Sequence, residues 1–460
     1  MKFKHLLLCA AAGILMGGSA QANDILVKKI GGAKAVEYVE TCPVFGRSFI
    51  KMPGTDICMG LRGGLEVKFS FVNPRTSIKE DGKSFDPPKA VTNTTGWMIK
   101  IKPGFDFRSQ TEYGTLRTFF AFKTEIDNGI HNDRLPVLTG SPDFKIDKAY
   151  IEWAGFLVGL QNSPFQYFAH DDVILSISAD PKITNFQFTY TWKLGSGTKA
   201  TLGVEDTGDD IKMRFNDLNK LVETTTGGGK PDVGPQRWNY AIVSSLSTEQ
   251  SWGDGKLAVM LDPLATQNGV HREVKWGWAA LAGITLNLPQ LGPKDQVMFQ
   301  AVYCDGVVKN ACLQKNLSIF DDNGFVIEGL QRKDVAAFLT PDGTGGWKTN
   351  TTKITSLAAQ YRHYWAPLCR SNITGSYAIV NTPDVAHTAL LKNGGLGNAR
   401  GWDAALNLIW GESRKTAEIG TEVMWKSLQQ DLPLAGSVIV SPYEKDPKGW
   451  AATTWIKRSW

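Results

Sequence analysis

Residues 186–192 read Phe186-Gln187-Phe188-Thr189-Tyr190-Thr191-Trp192, with a ring at every second position and a polar residue between each pair. Successive side chains of a strand point to opposite faces, so this stretch has one oily face and one wet one. In a water-soluble sheet the oily face has to meet a second apolar layer, whereas in a membrane wall lipid serves. Working outward, period-two runs recur at residues 63–71, 97–108, 114–125, 146–154, 156–161, 184–192, 198–205, 237–247, 256–261, 273–288, 296–303, 351–365, 371–380, 402–410, 417–426 and 450–460. Sixteen is an even number within the range of transmembrane β-barrels. Short connections at 109–113, 193–197, 289–295 and 411–416 alternate with long ones at 72–96, 206–236 and 305–350. Short turns on one rim and long loops on the other are the mark of an up-and-down transmembrane barrel, while a Greek-key sandwich would break that order. The expectation is an all-β chain, a sixteen-stranded antiparallel transmembrane β-barrel over residues 63–460.

The same two faces recur along the chain. Leu116, Phe120 and Phe122 oppose Arg117, Lys123 and Glu125; Trp97, Ile99 and Ile101 oppose Lys100 and Lys102; Trp402, Leu406 and Trp410 oppose Asp403 and Asn407. Charges are tolerable on the second face if it meets water, so the lumen is expected to be water-filled rather than packed with side chains. Gln187, Thr189 and Thr191 are expected to line that water. Trp97, Tyr113, Trp192, Trp410, Trp425 and Trp450 lie near segment ends, as in the aromatic girdles at membrane interfaces.

The amino terminus carries Lys2 and Lys4, an apolar run from Leu6 to Met16, and the small-x-small sequence Ala20-Gln21-Ala22. This is the form of a secretory signal peptide over residues 1–22, with Asn23 starting the exported chain and residues 23–62 forming a periplasmic segment before the barrel. Removing two lysines takes the formal charge from +5 to +3, and the basic residues are scattered, which argues against nucleic acid as a partner. Five cysteines remain. In an exported chain close pairs read as disulfides before metal ligands, giving Cys42 with Cys58 and Cys304 with Cys312. Closing the first loop is worth about 3 kcal/mol in the chain-entropy estimate. Cys369 is left over and reads as a buried, inert thiol.

Chemistry is otherwise thin. The six histidines lack metal-ligand spacing, so neither a metal nor a cofactor is expected. Gly227-Gly228-Gly229-Lys230 ends in Pro231 and reads as a surface loop, not a phosphate cradle. Asp321-Asp322-Asn323-Gly324 reads as a turn, since the further calcium-ligand spacing is missing. No nucleophile and base are placed together, so no enzyme is expected.

Several blocks resemble the general-diffusion porins of alphaproteobacterial outer membranes. Ala35-Val36-Glu37-Tyr38-Val39 before Cys42, then Pro53-Gly54-Thr55-Asp56-x-Cys58, is similar to that family's amino-terminal signature. Gln110-Thr111-Glu112-Tyr113-Gly114-Thr115-Leu116-Arg117, Arg362-His363-Tyr364-Trp365-x-Pro367 and Asn407-Leu408-Ile409-Trp410 follow in the family's order, across nearly the whole exported chain. One departure is the last residue, Trp460, where outer-membrane barrels generally end in Phe.

The resemblance implies a homotrimer of water-filled barrels in the bacterial outer membrane, in contact with membrane lipid and lipopolysaccharide. Each barrel would be narrowed by a third long loop, from Asn162 to Ile183 by strand count, folding inward. Asp171, Asp172 and Asp180 on that loop would face basic wall residues: Lys100, Lys102, Arg117, Lys148 and Arg362 by parity, with Arg108 and Arg370 nearer the short-turn rim. Opposite charges across a narrow pore select solutes by charge and size. Alternatively each Asp caps a turn and each Arg is a solvated lumen residue. The implied function is passive diffusion of small hydrophilic solutes and ions. A substrate-specific channel for a sugar or anion, and a secreted soluble all-β binding protein, are the competing readings.

Overall fold

The computed structural model describes residues 40–46, 48–75, 95–127, 144–167, 173–175, 177–179, 181, 184–206, 240–268, 271–307, 312–313, 337–341, 347–384, 387, 397–412, 417–431 and 448–460. Its strands are β1 (Phe49–Lys51), β2 (Cys58–Arg75), β3 (Thr95–Thr111), β4 (Gly114–Asp127), β5 (Lys145–Trp153), β6 (Phe156–Asn162), β7 (Thr184–Gly195), β8 (Thr198–Asp206), β9 (Tyr240–Gln250) and β10 (Gly253–Asn268). They continue with β11 (His271–Asn287), β12 (Gln296–Asp305), β13 (Ala337–Pro341), β14 (Trp347–Thr351), β15 (Lys353–Ala366), β16 (Cys369–Asn381), β17 (Ala399–Gly411), β18 (Glu418–Gln430) and β19 (Lys448–Ser459). Each strand from β2 to β12 pairs antiparallel with the next, β12 pairs with β15, and the series continues to β19. β19 then pairs with β2 from Lys448 opposite Arg75 to Ser459 opposite Gly64, closing a sixteen-stranded barrel. Gly63 and Trp460 exchange both backbone bonds at 3.1 Å beyond the last pair, so the terminal tryptophan completes the seam.

All sixteen expected segments are barrel strands, and the rims are sorted as expected, with one exception. β10 and β11 run on to Asn268 and His271, so their connection on the long-loop rim is only residues 269 and 270. Three short strands fall outside the expectation. β13 and β14 form a separate hairpin within the connection between β12 and β15. β1 pairs with the end of β2, Phe49 opposite Gly60, which is why β2 starts at Cys58 rather than at residue 63. The Cys42–Cys58 disulfide, with Cα atoms 6.1 Å apart, fixes this segment at the short-turn rim. Phe49 is fully buried there beneath the guanidinium groups of Arg62 and Arg108.

The aromatic alternation of β7 does what its period demands. Phe186, Phe188 and Trp192 are 63%, 49% and 44% exposed on the outer surface. Gln187 and Thr189 point inward but are buried, which corrects the expectation that they line water. Gln187 donates from Nε2 to the carbonyls of Gln161 and Asn162 at 2.8 and 3.1 Å, holding the base of the third loop, and Thr189 fills the space beside Gly203. Thr191 is half-buried and shares a hydroxyl contact of 3.0 Å with Thr201.

The lumen departs from expectation in a second way. On β9 to β18 the inward positions are largely buried: apolar ones, including Val243, Met260, Leu281, Ile354 and Val380, form one cluster with loop residues, and polar ones, including Gln300, Asn372, Thr374, Asp403 and Glu422, are buried beside them. Val307, Cys312 and Leu313 belong to the cluster, held by the Cys304–Cys312 disulfide. That half of the barrel is packed, not wet. Cys369 is buried, as expected, but is not a free thiol.

Candidate functional site

The covering element is the third loop, residues 163–183, between β6 and β7. Apolar residues at Val173, Leu175, Ile177 and Ala179 are each 6% exposed or less, and they lie on the apolar inner wall. Burial of that surface supplies the drive for the loop to fold inward, and directed polar contacts fix where it stops. At its base Tyr167 Oη lies 2.7 Å from both Asp254 Oδ1 and Thr285 Oγ1. The tyrosine ring rests on Gly283, where a Cβ would come within 2.0 Å of it, so any side chain there would displace the loop. Lys256 Nζ donates to the Gln166 carbonyl at 2.7 Å.

Farther on, the loop reaches β16, β17 and β18. The backbone N–H groups of Ile174 and Leu175 donate to the two oxygens of Glu422 at 3.2 and 2.7 Å. The Ser178 N–H donates to Asp403 Oδ2 at 2.8 Å, and the Ala179 N–H to Ser376 Oγ at 3.3 Å. Glu422 also accepts from Asn407 Nδ2 at 3.0 Å. Two carboxylates of the wall thus cap the loop's backbone, where charge-assisted bonds are about twice as strong as neutral ones.

With the loop laid on that side, the inner faces of β2 to β5 remain as the polar wall. Lys100 pairs with Glu125 at 3.1 Å, Lys123 with Glu125 at 2.8 Å, and Lys102 with Asp147 at 3.4 Å. Asp106 is clamped by two guanidinium forks, from Arg108 at 2.7 Å and Arg117 at 2.9 Å. Arg117 also lies 3.5 Å from Glu152 and over the rings of Phe119 and Tyr150. The side chains of Lys100, Lys102 and Arg117 keep 25–40% of their surface exposed.

The structure therefore brings Lys100, Lys102, Arg117 and Lys148 onto one stretch of wall with Glu125, expected on that face, and adds Asp106, Asp147 and Glu152. Arg362 does not join them. It lies on β15, with Nε 3.2 Å from Asn372 Oδ1 and Nη1 3.3 Å from Gln296 Oε1. Arg370 is buried at the short-turn rim, donating to Glu418 at 2.8 Å and to the Gly411 carbonyl, a structural position. Asp171, Asp172 and Asp180 lie outside the described residues. Glu422, Asp403, Ser376 and Tyr167 were missed, although strand parity already placed Asp403 on the inner face.

A family description, Porin subfamily, matches residues 27–447. Porin Omp2b of Brucella melitensis biotype 1 is 30% identical over 268 residues, 55% of this chain and 64% of that protein. Porin Omp2a of Brucella canis is 28% identical over 284 residues, 57% of this chain and 67% of that protein. The chain thus spans just under two thirds of the length of the first of these. Among solved structures, the outer membrane channel DcaP of Acinetobacter baumannii superposes with a TM-score of 0.57 and 15% identity, covering 89% of this chain and 99% of that one, a likeness of fold. A closed sixteen-stranded barrel with rings on its outer face, matched by that description over almost its whole length, belongs to the porin family and to the bacterial outer membrane.

Proposed function

We propose that the barrel carries small hydrophilic solutes and ions passively across the outer membrane, with no chemical step, through the space between the third loop and the β2–β5 wall. The observation that carries this reading is the pinning of the loop to one side, which leaves part-exposed Lys100, Lys102 and Arg117 facing the lumen. Asp171, Asp172 and Asp180 supply the opposite sign from the loop, and Lys148 completes the basic set, while Arg362 stands apart on β15. Residues 1–22 act as the export leader, and residues 23–62 sit on the periplasmic side with the short turns. In planar bilayers conductance should rise in proportion to salt without saturating for one solute. Saturation by a single sugar or anion would favour the substrate-specific channel instead. Changing Lys100 and Lys102 together to Gln removes two positive charges, taking Lys102 from Asp147 and leaving Glu125 with Lys123, so the cation-over-anion permeability ratio should rise by about twofold or more; an unchanged reversal potential would remove both from the conducting path.

The functional unit is a homotrimer, and strand length indicates which sector the subunits share. β6 has 7 residues and β5 and β8 have 9 each, against 16 and 17 in β10 and β11. Seven residues cover about 23 Å along the strand and, tilted by about 40°, roughly 18 Å of the hydrocarbon band, which needs about 25 Å. This sector cannot cross lipid alone, and its outer face carries exposed Phe156, Phe186 and Phe188. Phe188→Asp is expected to convert the trimer to monomers on native gels while the barrel still folds.

A further inference from the structure

Below the ion pairs of the β2–β5 wall, toward the short turns, half-buried Arg62 stands on the inner face of β2. The next residue, Gly63, exchanges bonds with Trp460 where β19 ends, so Arg62 lies at the mouth of the barrel. The N-terminal segment reaches it there. Phe49 packs against Gly60, where a Cβ would come within 2.8 Å of its ring. The same ring lies 5.2 Å from Arg62 Cζ and 4.7 Å from Arg108 Cζ, so two guanidinium groups share one buried aromatic face. Their forks are used differently. Arg108 turns Nε and Nη2 to Asp106, at 3.1 and 2.7 Å, whereas Arg62 has no carboxylate partner among the described residues. Glu66, the next acid on that face of β2, is four residues away, about 13 Å along the strand.

Strand register sets Arg62 in one row with Gly104, Ala121 and Lys148 on β3, β4 and β5. Adjacent strands lie about 4.8 Å apart, so the two cations stand roughly 14 Å apart at the backbone, within reach of two long side chains leaning over the gap. Between them two small residues leave a shallow apolar floor, edged by the Phe119 ring, 3.4 Å from where a Gly104 Cβ would stand. The nearby acids Asp106 and Asp147 are already paired with Arg108, Arg117 and Lys102. We propose that this hollow briefly binds small organic dicarboxylates as they pass: the Arg62 fork takes one carboxylate, Lys148 attracts the other, and the carbon chain lies over Gly104 and Ala121. The wall already shows this chemistry at Asp106, a carboxylate gripped by two forks. Phe49 is the positioning residue, because its ring restrains the Arg62 guanidinium without using any of its N–H donors. The proposal rests on the passive-channel reading and refines it, since a brief dwell at the mouth slows one class of solute without making the pore specific.

Single-channel currents of the full-length protein in potassium chloride, with succinate added, read that dwell directly. Succinate should interrupt the wild-type current briefly, and butyrate, with one carboxylate, for about a tenth as long. Arg62→Gln should shorten the succinate interruptions by about tenfold. Arg62→Lys keeps the charge but loses the fork, and should fall between. Phe49→Leu keeps an apolar residue at the buried position and every charge, so the reversal potential in potassium chloride should stay unchanged while the succinate interruptions shorten by about threefold. A ring with a purely structural role would leave the interruptions of the folded channel as they are. Wild-type currents that ignore succinate, or interruptions of equal length in Arg62→Gln, would overturn the proposal. If Phe49→Leu does not assemble, the two Arg62 variants decide. Conductance that stays linear in potassium chloride with no effect of succinate sinks this site alone, whereas conductance that saturates with chloride sinks the passive reading.

Discussion

Replacing Glu422 with alanine is expected to free the third loop from the wall and convert a quiet channel into a noisy one. The carboxylate is fully buried and receives the amides of Ile174 and Leu175 and the Asn407 side chain. Hydrogen bonds to a charged group are worth about 1.5–3 kcal/mol each, and a buried amide left without its acceptor costs about 1–3 kcal/mol. Losing two such bonds therefore weakens loop docking by roughly 4 kcal/mol, about a thousandfold in the docked-to-released ratio. The apolar contacts of Leu175 and Ile177 remain, so the loop is loosened rather than expelled. Single-channel recordings should show rapid partial closures and a lower mean conductance. Glu422→Gln keeps one acceptor oxygen and should fall between. Asp403→Ala removes the acceptor of the Ser178 N–H and should show a milder form of the same noise. Traces of Glu422→Ala that superimpose on wild type would mean that apolar packing alone positions the loop.

How far the sequence showed this arrangement depends on whether the two faces of a strand differ in chemistry. In β7 and β17 they do, as in Phe186 to Trp192 or Trp402, Leu406 and Trp410 against Asp403 and Asn407, and the strands, their order and their inner faces could be read directly. In β11 the run Ala279-Ala280-Leu281-Ala282 is apolar on both faces. Alternation then says nothing about which face is wet, so the packed half of the lumen was invisible. The loop's destination was hidden for a related reason. A lone inward carboxylate such as Glu422 looks the same whether it meets water or caps two amides, and only the fold shows the loop arriving. On β2 to β5 parity put Glu125 on the face of the lysines and arginines, but did not show that Glu125, Asp106 and Asp147 pair with them. Cross-strand pairing sets Lys100 opposite Glu125 and Arg108 opposite Arg117, with Asp106 between. The wall is a mixed-charge surface whose arginines are held in place by ion pairs that strand register sets.

Asp295→Ala should produce the largest loss of barrel stability among single changes at the short-turn rim. The residue ends the β11–β12 turn, yet its carboxylate is buried and reaches β15. Oδ2 accepts from Tyr361 Oη at 2.9 Å and lies 2.6 Å from His363 Nδ1, while Oδ1 accepts the Tyr364 N–H at 3.0 Å. One side chain thus joins the turn to three positions of the strand that pairs with β12, Tyr361 and, within the Arg362-His363-Tyr364-Trp365 block, His363 and Tyr364. Removing it strands up to three donors, at about 1–3 kcal/mol each. The same contacts give a pH signature. Burial tends to raise this carboxyl, but the Tyr364 amide, His363 and Tyr361 outweigh it and hold the group below its ordinary range. A carboxylate whose folded value is depressed adds stability above its unfolded value, near 3.9, and loses it as pH falls through the folded value. Thermal unfolding in detergent should therefore show the wild-type melting temperature falling as pH drops below about 4, with the decline reduced in Asp295→Asn. The His363 contact contributes as an ion pair only while the ring is protonated, so His363→Gln tests its share: an unchanged melting temperature at pH 5 would leave Tyr361 and the Tyr364 amide as the bonds that join the turn to β15.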